Sequence, residues 1–283
     1  MKRRGVRRFF LFIFLQLKYA KIISMKFEGQ PEDKQEKILT GREGLDMLKE
    51  STAKVDGIRL IDFLQTPEGK ELIKKKKIVL AGPPKSGKSC FRQGLKDSIR
   101  KITNGNLYAY VITACPDGEG SWFQEAMNAD PELAKKYKTE YKQRFSSDHG
   151  KMYAEWVKNL SSPNNTNTLN FIDIGGVISE ENELICANAN GAVILSGQTA
   201  VENNLPGQWK EFFTKLGVPI VAEIYSDYKG TEDIVEGTGE DGVFRGSVHH
   251  LERGEQLGDR QAIQAFSEFI IHLGEEPQKD PVS

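Results

Sequence analysis

Apolar residues in this 283-residue chain follow two alternating patterns. Short, largely β-branched runs bounded by glycine, proline or polar residues recur as "IVLAG" (Ile78 to Gly82), "LYAYVITA" (Leu107 to Ala114), "LNFIDIGG" (Leu169 to Gly176), "GAVILSG" (Gly191 to Gly197) and "PIVAEIYS" (Pro219 to Ser226). Continuous apolar runs of this length predict strands covered on both faces, the signature of a parallel sheet. Between them the apolar spacing turns helical, as at Phe91, Leu95 and Ile99, and again at Trp209, Phe212, Phe213 and Leu216. Strands alternating with helices predict an α/β domain wound by right-handed crossovers. A hairpin-like piece, "GVFRGSVHHLERG", leads to a last helix with Asp259 as its expected N-cap and Ile263, Phe266, Ile270 and Leu273 along one face.

Three regions depart from this rhythm. From Pro31 to Lys77 the chain is charged, and Leu45, Met47, Leu48, Ile58, Leu60, Ile61, Phe63 and Leu64 suit two or three short amphipathic helices broken near Gly57 and Thr66-Pro67. The lysines from Lys74 to Lys77 read as a solvated strand entrance rather than a nucleic-acid site. Between Ala114 and Leu169 the connection far exceeds the dozen or so residues a crossover needs. Its stripes, Leu133, Tyr137, Tyr141 and Phe145, then Met152, Trp156 and Leu160, predict an inserted helical subdomain with its own core. Placed over the carboxyl edge of the sheet, that insertion would act as a lid or acceptor site. The expected organisation is a helical appendage over 25–76, a core over 77–274 with the insertion at about 121–165, and a frayed tail over 275–283.

Composition narrows the setting. Thirty-nine Lys and Arg nearly cancel forty Asp and Glu, so no global field draws the chain to nucleic acid or an anionic membrane. Three well-separated cysteines, Cys90, Cys115 and Cys186, form neither a zinc ribbon nor a secreted disulfide framework and suit a reduced, cytoplasmic location. Residues 1–24 combine a basic start with an apolar run from Phe9 to Leu15, too short to cross a bilayer, so no stable membrane insertion is expected. Two readings stay open there: a targeting segment, or an overextended start with Met25 as the initiator.

The chemistry begins at "AGPPKSGKSC". Gly82, Pro83, Pro84, Lys85, Ser86, Gly87, Lys88, Ser89 and Cys90 contain GxxxxGKS between a predicted strand and a predicted helix, the context in which backbone N–H groups cradle phosphates. Lys88 is expected to reach the β- and γ-phosphates, and Ser89 to ligate Mg²⁺. Lys85 fills a slot often occupied by glycine, so a side chain must accept that backbone. Asp173, ending the third strand, is the second expected metal and catalytic residue, with Gly175 and Gly176 behind it. Asp173 to Gly176 also spells DxxG, a GTPase signature, yet no NKxD follows to select guanine.

In "ACPDGEGSW", Asp117 and Glu119 leave the second strand where an acceptor would approach, and they can orient or deprotonate its hydroxyl or simply form a turn. Trp122 could stack on a base or pack under the lid, and Lys142 and Arg144 could clamp phosphates, although lysine and arginine on a helix face are usually only solvated. His249 and His250 read as a poor metal pair, because neighbours on a strand point to opposite faces.

Taken together, "AGPPKSGKS", "TACPDGEGSW", "FIDIGG" with "SEENELI", "AEIYSD" and "GVFRGSVHHLERG" resemble the P-loop, kinase-like domain fused to a small CRISPR-associated ring nuclease, over roughly Lys77 to Leu273. The resemblance implies a P-loop NTPase three-layer α/β sandwich, with a mostly parallel sheet and a helical insertion between the second and third core strands. It also implies nucleotide binding through Gly82, Gly87, Lys88 and Ser89, with Asp173 at the metal. No ring-nuclease module is recognisable here, so cleavage of cyclic oligoadenylate is not inherited, and a CRISPR-associated protein partner is an expectation of the resemblance alone. The functional expectation is a Mg²⁺-dependent, ATP-binding kinase-like phosphotransferase or ATPase acting on a nucleotide-type or oligonucleotide second ligand. The alternatives are a nucleotide-gated binding module and a GTPase-type switch.

Overall fold

In the computed structural model the described residues are 38–114, 147–160 and 168–275, with a few positions between 130 and 136. The described residues from Leu39 onward belong to one compact unit. The five runs read as strands are β1 (Lys77–Ala81), β2 (Tyr108–Ala114), β3 (Thr168–Ile174), β4 (Gly191–Ser196) and β5 (Ile220–Asp227). A hairpin of β6 (Ile234–Thr238) and β7 (Phe244–His249) completes a seven-stranded sheet in the order β2-β3-β1-β4-β5-β7-β6. Every pairing is parallel except the antiparallel β6–β7 edge. The chain is therefore an α/β protein with a mostly parallel sheet.

The helices are α1 (Gly41–Ala53), α2 (Leu60–Gln65), α3 (Pro67–Lys74), α4 (Lys88–Ile102), α5 (Ser147–Asn159), α6 (Glu180–Cys186), α7 (Gln198–Glu202), α8 (Leu205–Lys215) and α9 (Gln261–His272). Strands β1, β4 and β5 are buried at every position, so their side chains are covered on both faces of the sheet. One set of elements joins α4, α9 and the 3-10 turn Leu257–Asp259; another joins α1, α7 and α8. Phe91, Leu95 and Ile99 of α4 and Ile263, Phe266 and Ile270 of α9 are fully buried, so the helical faces read from the sequence are the packed ones. Leu45 and Leu48 of α1 pack instead with Tyr225 of β5, whose hydroxyl donates to Leu39 O at 2.7 Å.

Three expectations change. The lysine run is not simply solvated: Lys77 is buried and its Nζ donates to Val157 O at 3.2 Å, while Lys76 donates to Ile271 O. Both carbonyls lie in the last turn of a helix, α5 and α9, where orphan acceptors and the negative end of the macrodipole attract a cation. Burial pushes both ammonium groups below the ordinary lysine range.

The N-cap of α9 is Arg260, not Asp259, which pairs with Lys101 at 2.7 Å. The carboxylate that serves the first turn of α9 is the distant Asp233, accepting from Ala262 N at 2.9 Å.

Of the expected stripe, Met152 is 53% and Trp156 44% exposed, whereas Leu160 packs half-buried on the core, where Val157 is buried. Most of the rest of the insertion lies outside the described residues. No described helix is long and apolar enough to cross a membrane.

Candidate functional site

β1 lies mid-sheet between β3 and β4, so the loop leaving its carboxyl end is supported on both sides. The chain turns at Gly82, with φ +135°, where an added Cβ would stand 1.9 Å from Leu195 O of β4. Only glycine fits that approach. Lys85 takes a left-handed φ of +64°, the geometry the sequence required a side chain to accept. Gly87, at φ +81°, is the N-cap of α4, and a Cβ there would press on Leu251 Cδ1 at 2.7 Å.

The start of α4 is electrostatically unusual. Gly87 supplies no side-chain cap, the first turn holds no acid, and its first residue is a lysine. Helices ordinarily place carboxylates or hydroxyls at this end, where orphan N–H donors and the macrodipole are positive. Lys88 Nζ folds back to donate to Gly82 O at 2.8 Å and Pro83 O at 3.0 Å. Ser86 is buried within the loop, and its Oγ has no hydrogen-bond partner among the described residues. Ser89 and Cys90 complete the first turn; burial raises the Cys90 thiol above its ordinary range, opposed by the Arg253 and Arg92 charges.

β3 brings the second part of the site. Its register places Asp173 opposite Leu80 of β1 on one side and Thr113 of β2 on the other. Asp173 is buried, and its Oδ2 accepts from Arg92 Nη1 at 2.8 Å, while the same nitrogen donates to Thr113 Oγ1 at 3.0 Å. The residue expected to share a cation with Ser89 thus also holds a guanidinium. Beyond it, a Cβ on Gly176 would lie 2.5 Å from Pro84 N, so the loop after β3 rests directly on the loop after β1. Buried Asn182 of α6 fixes that contact, its Nδ2 donating to Gly175 O at 3.2 Å and Val177 O at 2.7 Å.

Residues 82–90, Asp173 and Gly176 therefore converge on one edge of the sheet. Asp117, Glu119, Trp122, Lys142 and Arg144 lie outside the described residues.

Arg92 and Asn182 were not read as site residues. Arg92 stands four residues after Lys88, on the same helical face, and a buried aspartate ending a strand calls for a cation; together these were the available signal. Asn182 carried only its position three residues after the N-cap Ser179, whose Oγ accepts from Asn182 N at 3.3 Å.

The late histidines take different partners. His249 Nδ1 pairs with buried Asp233 at 2.6 Å and Arg260 approaches its Nε2, whereas His250 leaves the strand with φ +45°. That left-handed turn brings His250 together with Glu252 and Glu255 and leaves His249 outside the group.

No family model and no curated protein matches the sequence.

Proposed function

We propose that the chain is a Mg²⁺-dependent, ATP-binding P-loop enzyme, a kinase-like phosphotransferase or ATPase. The observation that carries this reading is the start of α4: uncapped N–H donors, no acid in the first turn, and Lys88 at the positive end of a 15-residue helix. A cation in that position costs about 0.3–1 kcal/mol against the macrodipole. A polyphosphate reverses the sign, because backbone donors and ammonium then face the same anion. The unpartnered Ser86 Oγ is a further donor in the same loop. The oxygen donors suited to Mg²⁺ are the Ser89 hydroxyl and the Asp173 carboxylate. When bound, the ion neutralises charge between the β- and γ-phosphates. Arg92 orients the Asp173 carboxylate toward that role. Asp117 and Glu119 belong to the proposal as the acids that position an acceptor hydroxyl or a water.

The test is Mg²⁺-ATP binding and turnover by the full chain. Wild-type protein at 100 times its Kd gains about 2.7 kcal/mol of stability from ATP. Lys88→Ala loses that gain while its ligand-free melt stays within about 0.5 kcal/mol of wild type. ATP binding that survives unchanged in Lys88→Ala refutes the proposal. Asp117→Asn lowers turnover about 10²-fold or more with little change in Kd.

A second reading, a nucleotide-gated binding module, draws on the contact between Gly176 and Pro84. The loop that would meet a γ-phosphate carries exposed Val177 and Ile178, apolar side chains that could be repositioned toward a partner. Tight ATP binding without phosphate release in a single-turnover experiment selects this reading over the enzyme.

A further inference from the structure

His250 stacks on Tyr228, with ring centroids 5.6 Å apart, at the exit of β5. Its Nδ1 lies 3.3 Å from Tyr228 O. A carbonyl only accepts, so Nδ1 carries the proton, and the neutral ring offers a lone pair at Nε2. Nε2 faces Glu252 Oε2 and Glu255 Oε1, each at 3.7 Å, beyond a direct hydrogen bond. The companion oxygens are held from outside: Tyr228 OH donates to Glu252 Oε1 at 2.7 Å, and Arg260 Nη2 donates to Glu255 Oε2 at 2.9 Å. Each of the three residues thus has one atom tethered and another turned inward, with ligand atoms within 4.8 Å of one another.

We propose that His250 Nε2, Glu252 Oε2 and Glu255 Oε1 form a Zn²⁺ site. Zinc bonds of about 2.0–2.2 Å in tetrahedral geometry separate neighbouring donors by about 3.3 Å, so the two 3.7 Å distances from His250 close by a few tenths of an ångström, and the two glutamate oxygens, within 4.8 Å of each other, draw in around the ion. An imidazole with two carboxylates suits zinc, whereas Mg²⁺ prefers an all-oxygen shell. Two carboxylates balance the charge of the ion, and three protein ligands leave a fourth position for water. The outer bonds from Tyr228 and Arg260, and the bond that fixes the His250 tautomer, are the support that metal ligands use to hold orientation. The site shares no residue with the loop 82–90 or with Asp173, and the proposal does not depend on nucleotide binding. Its structural effect is to pin the turn carrying Leu251, which packs at Gly87, to the exit of β5.

The experiment titrates Zn²⁺ into the full chain by calorimetry in millimolar Mg²⁺. Wild type takes up one Zn²⁺ per chain. His250→Asn, which keeps a residue tolerant of left-handed φ, and Glu255→Gln each weaken binding at least about 10-fold. Tyr228→Phe keeps the stacked ring and removes only the outer bond to Glu252, weakening binding about 10-fold. Lys88→Ala binds Zn²⁺ as wild type does. Metal-free melts check that each variant is folded. The proposal is overturned if wild type shows no stoichiometric uptake, or if His250→Asn and Glu255→Gln both bind Zn²⁺ with wild-type affinity.

Discussion

Replacing Arg92 by methionine is the sharpest perturbation of the site that needs no ligand to read. The Arg92 and Asp173 side chains are only 10% and 7% exposed, so the pair is little screened by solvent. Removing one partner of a buried ion pair leaves a charge in a poorly solvated place, at a cost of about 3–5 kcal/mol. The lower end applies, because the remaining exposure admits some water to Asp173. Thr113 Oγ1 loses its Arg92 donor as well but can rotate.

With a urea slope of about 3 kcal/mol/M, a loss of about 3 kcal/mol lowers the midpoint by about 1 M. A cycle of Arg92→Met, Asp173→Asn and the double variant then gives a coupling of about 2–3 kcal/mol, because the amide leaves no stranded charge. A midpoint shift under about 0.3 M, or coupling below about 0.5 kcal/mol, refutes the inference that this pair holds the β3 end against α4. The same variant separates orientation from phosphate binding: Arg92→Met retains measurable ATP affinity, whereas Lys88→Ala does not.

Further outcomes follow from the same geometry. Gly82→Ala places a methyl 1.9 Å from Leu195 O at φ +135°, so it loses more than about 3 kcal/mol by urea unfolding. Asp241, between β6 and β7, is pushed upward by burial, but hydrogen bonds from Arg245 and Val243 N and the Arg245 charge hold its carboxyl below the ordinary 3.8. A depressed native pKa adds stability that is complete above the unfolded value and is lost as pH falls through the native one. Urea midpoints measured from about pH 6 to about pH 3 therefore fall less steeply in Asp241→Asn than in wild type, and parallel acid limbs refute the assignment.

Strands β1, β4 and β5 were legible because each is buried on both faces, which leaves an unbroken apolar run such as "IVLA" or "AVIL". β6 was not legible, for the opposite reason. "IVEGT" is a half-exposed edge strand interrupted by a bulge near Gly237, and its residues alternate too briefly to stand out. Local spacing likewise located Lys88 and Asp173 but not what surrounds them. Arg92 acquires its partner only when β3 is laid beside β1, and Asp233 reaches α9 from 29 residues away. The Met152 and Trp156 stripe failed because a helical period identifies an apolar face without identifying what packs on it. The grouping of His250 with Glu252 and Glu255 was not legible, because it depends on one left-handed residue at the strand end.

The central place of β1 also sets an order on synthesis. Both of its ladders are formed with later strands, β3 from Thr168 and β4 from Gly191, and its tight turn at Gly82 closes on Leu195. A growing chain that has emerged only as far as residue 114 carries the complete GxxxxGKS motif with neither flanking strand to pair with it. The loop's geometry is thus a late, non-local product of folding, acquired only once Leu195 has left the ribosome.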